Sequence, residues 1–213
     1  MARVICIAGE SGSGKTTSMR NLDPKTTCYI DCDRKGLSWR GWRQQYNSEN
    51  KNYCATDDIN TVGQLLVRVS KTRPEVKTIV IDTIGSMMVA DEMRRMREKG
   101  YDKWADLAQG VWNLVDVSND LRPDLFIIYV AHTQTERDES GYIFTKIKTN
   151  GRKLEKICLE SKFTTVLISK CVEGRYIFET HAKNSTAKTP LGAFEADEID
   201  NDIVEVIKVL QEF

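Results

Sequence analysis

Apolar residues fall along this chain in short blocks separated by mixed polar stretches. Five such blocks, Val4–Ala8, Thr27–Ile30, Lys77–Ile81, Leu125–Ala131 and Thr164–Ile168, are bounded by turn or polar residues. Short continuous apolar runs read as strands buried on both faces, and helical periodicity lies between several of them. That alternation predicts an α/β fold on a mostly parallel central sheet flanked by helices.

After about residue 140 the pattern changes. Gly141 to Lys148 alternates in the manner of an exposed strand, and a second such segment, Gly174 to Thr180, follows the turn-like pair Glu173-Gly174. Antiparallel strands added toward the C-terminus are therefore expected. In the acidic stretch 195–213, apolar residues at 203, 206, 207 and 210 follow a capping Asn201-Asp202, which predicts an amphipathic helix docked on the sheet. With no internal repeat, low-complexity stretch or linker, residues 1–213 are expected to form a single domain.

Composition narrows the class. The 213 residues are 40% apolar and 29% charged, which excludes disorder and fibre. Lys and Arg (31) balance Asp and Glu (31), so any contact with a polyanion must come from a local patch. No apolar run reaches the length of a membrane span and the start lacks a signal-peptide pattern, so a cytoplasmic protein with no membrane partner is expected. The six cysteines form no CxxC pair and only two histidines are present, so neither a disulfide framework nor a zinc site is expected. The thiols read as reduced and mostly buried.

Chemistry enters at residues 9–16. Gly9-Glu10-Ser11-Gly12-Ser13-Gly14-Lys15-Thr16 fits GxxxxGK[ST], follows an apolar run, and opens a segment through Leu22 that can be helical. Glycines let the backbone curl until its N–H groups point at phosphate oxygens, and a helix N-terminus adds a positive end. Lys15 then supplies a charge to the β and γ phosphates, and Thr16 a hydroxyl to Mg²⁺, with Thr17 next in the cradle. Thr78-Ile79-Val80-Ile81-Asp82-Thr83 reads as the companion strand, whose terminal Asp82 would hold Mg²⁺ through water. The expected cofactors are ATP and Mg²⁺.

Hydrolysis also needs a carboxylate to orient water. One is offered by Asp31-Cys32-Asp33, after the second predicted strand. An acid-x-acid turn between a P-loop and such an Asp-Thr strand end resembles the RecA-like ATPases. There the second acid is usually Glu and activates water; Asp33 is shorter by one methylene. The resemblance also implies a polar γ-phosphate sensor at the strand ending Ala131-His132, which assigns that role to His132. The chain most resembles the short phage RecA-like recombination ATPases of the Sak type. Two further blocks, Lys148-Thr149-Asn150-Gly151-Arg152-Lys153-Leu154 and Thr186 to Phe194, extend the match.

That resemblance implies single-stranded DNA and further copies of the chain as partners, with a single-strand-binding protein as another candidate, and places a phage protein in the bacterial host cytoplasm. Residues 141–189 carry ten basic side chains against four acidic ones, and residues 190–213 seven acidic against one basic. Within the basic stretch Lys146, Lys148, Arg152, Lys153 and Lys156 are the candidate DNA contacts, with Tyr142 and Phe144 as stacking platforms. A second candidate DNA loop begins at Arg94-Arg95-Met96-Arg97. Lys188, after the later strands, is a candidate for a trans-acting charge on a neighbour's γ-phosphate. Two other functions fit the motifs: a small-molecule P-loop kinase, and an accessory protein that holds nucleotide with little turnover.

Overall fold

The sheet is organised around β1 (Arg3–Gly9), whose side chains alternate between two cores. In the computed structural model, which describes residues 1–98, 102–137, 139–149 and 158–213, Val4, Cys6 and Ala8 point to one layer, and Ile5 and Ile7 to the other. Burial on both faces explains why this strand is a continuous apolar run rather than an alternating one.

The remaining strands are β2 (Thr27–Asp31), β3 (Tyr53–Ala55), β4 (Thr78–Asp82), β5 (Phe126–Arg137), β6 (Ile143–Ile147), β7 (Thr165–Val172), β8 (Arg175–Glu179) and β9 (Glu198–Asp200). Their order is β3-β2-β4-β5-β1-β7-β8-β9, with β6 paired to β5 alone. β3 through β7 along that path are parallel, whereas β6, β8 and β9 are antiparallel additions. The expected α/β architecture is thus the observed one. β3 and β9 escaped the sequence reading because each is three residues long, shorter than the runs that read as strands.

The first core lies under α2 (Ile59–Thr72), α3 (Ile84–Arg94) and α4 (Asp102–Asn119). α2 starts where Asp58 accepts the Thr61 amide at 2.9 Å, and it buries Val62, Leu66 and Val69 on one face. The second core takes Leu37, Trp39, Tyr46 and Trp42 of the short α1 (Trp42–Gln45), together with α5 (Ile203–Leu210). Asp202 caps α5 by accepting the Val204 amide, and Ile203, Val206, Ile207 and Leu210 are buried as their spacing predicts. The acidic segment before residue 203 is not helical and instead supplies β9.

Two local expectations shift. The segment after the P-loop forms only a 3-10 turn, Thr17–Met19, rather than a helix through Leu22. The Ser18 hydroxyl takes the Lys15 carbonyl at 2.6 Å, and the Met19 amide turns to the Thr16 carbonyl instead. β5 runs to Arg137, six residues past the predicted end, because β6 satisfies its backbone there. The Glu173-Gly174 turn joins β7 to β8 with φ of 51° and 81°, the left-handed pair that a two-residue hairpin turn requires.

Candidate nucleotide site

Parallel register brings the motif residues to one edge of the sheet. Gly9 ends β1 beside His132 of β5, and Asp82 ends β4 beside Asp31 of β2 and Val130 of β5. The P-loop curls over this edge through left-handed turns at Gly12 (φ 79°) and Gly14 (φ 93°). Gly14 is doubly constrained, since a Cβ there would lie 2.7 Å from the Tyr176 ring. Ser169 of β7 buttresses the loop by donating to the Ser13 carbonyl at 2.7 Å, and is itself held by Asn201 at 3.0 Å.

Lys15 is 6% exposed, and its ammonium donates to the carbonyls of Gly9 at 2.9 Å and Glu10 at 2.6 Å. Burial pushes its pKa down to about 8, against the pull of the Asp82 charge. Thr16 Oγ1 donates to Asp82 Oδ2 at 2.8 Å, and the buried Tyr29 hydroxyl donates to the same oxygen at 2.7 Å. The other carboxylate oxygen, Asp82 Oδ1, is buried with no hydrogen-bond partner. Burial drives the Asp82 pKa up, only partly offset by the Tyr29 and Thr16 bonds.

An orphaned carboxylate oxygen beside a threonine hydroxyl fits a hard divalent cation. Among the described residues no three His, Cys, Asp or Glu side chains converge as a metal site. Thr16 and Asp82 would therefore contribute one hydroxyl and one carboxylate to Mg²⁺, leaving its other positions to phosphate and water.

Asp33 is tied to the Asp82 strand through its backbone, its amide donating to the Asp82 carbonyl at 3.3 Å. Its carboxylate accepts from Thr83 at 3.0 Å, from Ser86 at the start of α3, and from the Lys35 ammonium. Burial works to raise its pKa, but the bonds from Lys35 and Ser86 win and hold it below the ordinary aspartate value. Asp31, the other acid of the turn, has a different task. It accepts the amides of Arg34 and Gly36 and the Tyr53 hydroxyl, which fixes the turn that presents Asp33 and Lys35.

A cleft of about 270 Å³ is lined by Ser11, Lys15, Thr16, Lys35, His132 and Tyr176, among others. Burial, reinforced by the Lys15 charge, holds His132 below its ordinary pKa, so the ring is neutral at pH 7 and keeps one N–H to donate. Thr17 meets Ser38 at 2.9 Å, which closes the cleft floor between the P-loop and the turn after β2. The sequence reading missed Tyr29, Lys35, Ser38, Ser86 and Tyr176. None lies in a contiguous motif with its target, and only the proximity of Lys35 to Asp33 left any signal. The positive end expected of a helix is reduced to the amides of one 3-10 turn, so phosphate recognition falls to the loop backbone and Lys15.

The basic stretch is largely neutralised. Lys146 pairs with Glu136 at 2.7 Å, Arg175 with Asp200 at 2.8 Å and Lys183 with Asp197 at 2.9 Å, while Lys162 pairs with Asp116 and Lys170 with Glu179. Lys148 is exposed. Arg152, Lys153 and Lys156 lie outside the described residues. Tyr142 and Phe144 stack with ring centroids 6.4 Å apart on the β5–β6 hairpin. At the second candidate loop, Arg94 pairs with Asp57, and Arg95 with Glu98 and Asp106. Lys188 pairs by backbone with Val166, level with Cys6 in mid-β1. All six cysteines are free; Cys6, Cys28 and Cys32 are buried, whereas Cys158 and Cys171 are exposed. Among the described residues no helix is long and apolar enough to cross a membrane.

No curated protein matches the sequence. A family model described as an AAA domain matches residues 1–191, a span that takes in the P-loop, Asp33, Asp82 and His132. The cradle over the sheet edge and this match over most of the chain lead to one assignment: the chain belongs to the AAA domain family of P-loop ATPase-type proteins.

Proposed function

We propose that this protein is a Mg²⁺-dependent ATPase that couples its nucleotide state to single-stranded DNA in recombination or annealing, acting as a homo-oligomer of the RecA-like Sak type. The observation that carries the hydrolase reading is the placement of Asp33. Its amide is anchored on the carbonyl of the Asp82 strand end and its carboxylate is held by Thr83, Ser86 and Lys35, beside the cleft lined by Lys15, Thr16 and His132. A base fixed to the metal-holding strand keeps the geometry that in-line attack by water demands.

In this reading the P-loop amides and Lys15 hold the phosphate chain, and His132 donates to the terminal phosphate. Asp33 accepts a proton from the attacking water, and its lowered pKa keeps it ionised for that role at neutral pH. Mg²⁺, when bound by Thr16 and Asp82, neutralises charge that develops on the phosphate oxygens. Tyr176, 47% exposed and packed against Gly14, offers a ring face for the nucleobase.

The DNA reading is supported by the β5–β6 hairpin, with its stacked Tyr142 and Phe144 and the exposed Lys148 at its return. The ion pairs of Lys162, Lys170, Arg175 and Lys183 narrow the proposed surface to this hairpin and the segment up to residue 156. A phosphate-release assay with and without single-stranded DNA, and with small acceptors, tests the proposal. DNA-stimulated release is expected; transfer to a small acceptor would make the protein a kinase, and binding without release an accessory factor.

A further inference from the structure

The cleft that faces the P-loop contains a second ammonium to which neither the motif nor the fold assigns a role. Lys35 stands on the turn after β2 and lines the same cleft as Lys15, Ser11 and His132. Its side chain is 57% exposed, so it is not a packing residue. Its Nζ donates to Asp33, the carboxylate placed to handle water. The turn that presents it is rigid: Asp31 accepts the Arg34 and Gly36 amides on either side, and Ser38 is bonded to Thr17 of the P-loop.

Two positive groups therefore face one cleft, while the nearby carboxylates are engaged elsewhere. Asp82 is buried beneath Thr16, and Asp33 is bound by Thr83, Ser86 and Lys35 itself. Lys15, bonded to the Gly9 and Glu10 carbonyls, lines the cleft from the P-loop side. Lys35 lines it together with Thr83, close enough that its charge helps to lower the Lys15 pKa, so a phosphate held in the cleft would meet both ammoniums.

We propose that Lys35 is a triphosphate-reading catalytic residue supplied by the same chain. Its ammonium leaves Asp33 for a γ-phosphate oxygen, so arrival of a triphosphate stabilises the terminal phosphate and frees the Asp33 carboxylate to accept a proton from water. A diphosphate offers no such oxygen and leaves Lys35 on Asp33. The inference rests on the ATPase reading and adds to it the means by which triphosphate is told from diphosphate. The step balances: the water oxygen bonds to the γ-phosphorus, the bond from that phosphorus to the bridging oxygen breaks, the diphosphate leaves with that oxygen, and the water's O–H bond breaks as its proton passes to Asp33.

The test compares the affinities of the purified full chain for a non-hydrolysable ATP analogue and for ADP, each with Mg²⁺, alongside phosphate release. Lys35→Ala is expected to weaken the triphosphate analogue about tenfold or more, the worth of a charge-assisted bond. ADP affinity should stay within about twofold, because selectivity is a difference between the two affinities. Turnover should fall on the order of 100-fold, as expected on removing a preorganised charge. Lys35→Arg should restore part of the preference. Asp33→Asn should tighten the triphosphate analogue, because the ammonium loses its competing partner. Lys35→Met, which keeps the apolar stem, and a thermal melt separate these effects from a damaged turn. An unchanged triphosphate-to-diphosphate ratio in Lys35→Ala, or equal loss of both nucleotides, overturns the inference while leaving the ATPase reading standing. If the wild-type protein binds neither nucleotide, both fall together.

Discussion

Thr16 and Asp82, sixty-six residues apart in the chain, meet across 2.8 Å at the edge of the sheet. The contact joins the end of the P-loop to the end of β4, with Tyr29 donating to the same carboxylate oxygen from below. That geometry leaves one oxygen of Asp82 without a partner and fixes where a divalent cation would sit.

Lys15 is expected to set the pH range over which the proposed nucleotide binds. With its pKa near 8, the ammonium is charged below that value, and binding a phosphate there needs no proton uptake. Above pH 8 the amine is neutral and must first take a proton, so affinity should fall toward tenfold per pH unit, whereas between pH 6.5 and 7.5 it should stay flat apart from the phosphate's own titration. Titration calorimetry in buffers of different ionisation heats reads the uptake directly. Lys15→Ala should remove the pH step, weaken triphosphate roughly 10- to 100-fold and abolish turnover.

Asp33→Asn should lower turnover on the order of 100- to 10,000-fold, the range for losing a general base. Nucleotide affinity should not fall, because a base acts on the transition state. Single-turnover phosphate release and equilibrium binding measure the two separately. Unchanged turnover would make Asp33 a turn residue, and a large loss of affinity would assign it to metal binding.

Lys148, Arg152 and Lys153 replaced together by Ala should flatten the salt dependence of single-stranded DNA binding. The log–log slope should fall by roughly 2, at about 0.7 per phosphate contact. Lys146→Ala should change it little, since that ammonium already serves Glu136. Fluorescence anisotropy across a salt series decides the matter, and absence of binding at low salt would end the recombination reading.

Glu173→Asn should stabilise the fold by about 1 kcal/mol. Glu173 holds φ at 51°, a conformation that asparagine tolerates better, and Asn-Gly is the favoured pair for this turn. Thermal or urea melts provide the measurement, and a loss of stability would show that the Glu173 side chain has a partner worth more than the backbone relief.

Much of the fold could be read from the chain because doubly buried strands announce themselves as apolar runs, and the P-loop because its glycine spacing is contiguous. Tyr29 and Ser86 were hidden for the opposite reason: strand register, not sequence spacing, brings them to Asp82 and Asp33, whereas Lys35 lies two residues from Asp33 on the same turn. β5 was cut short because His132 to Arg137 is polar, and its continuation depends on a partner strand rather than on burial. The charge surplus misled in the same way. A linear count cannot see that Asp197 and Asp200 of the acidic stretch return to pair with Lys183 and Arg175.

The length of β5 has a mechanical meaning. Its last register partner in β1 is Gly9, at His132, and from Thr133 onward only β6 supports it. Five residues, roughly 16 Å of strand, thus run past the end of β1, tied through β6 to Ser185 and sharing a cavity with the P-loop at Thr133. The same strand therefore carries His132 at the cleft and, five residues on, the hairpin whose Tyr142 is held to Asn184, so the nucleotide edge and the aromatic pair share one continuous backbone.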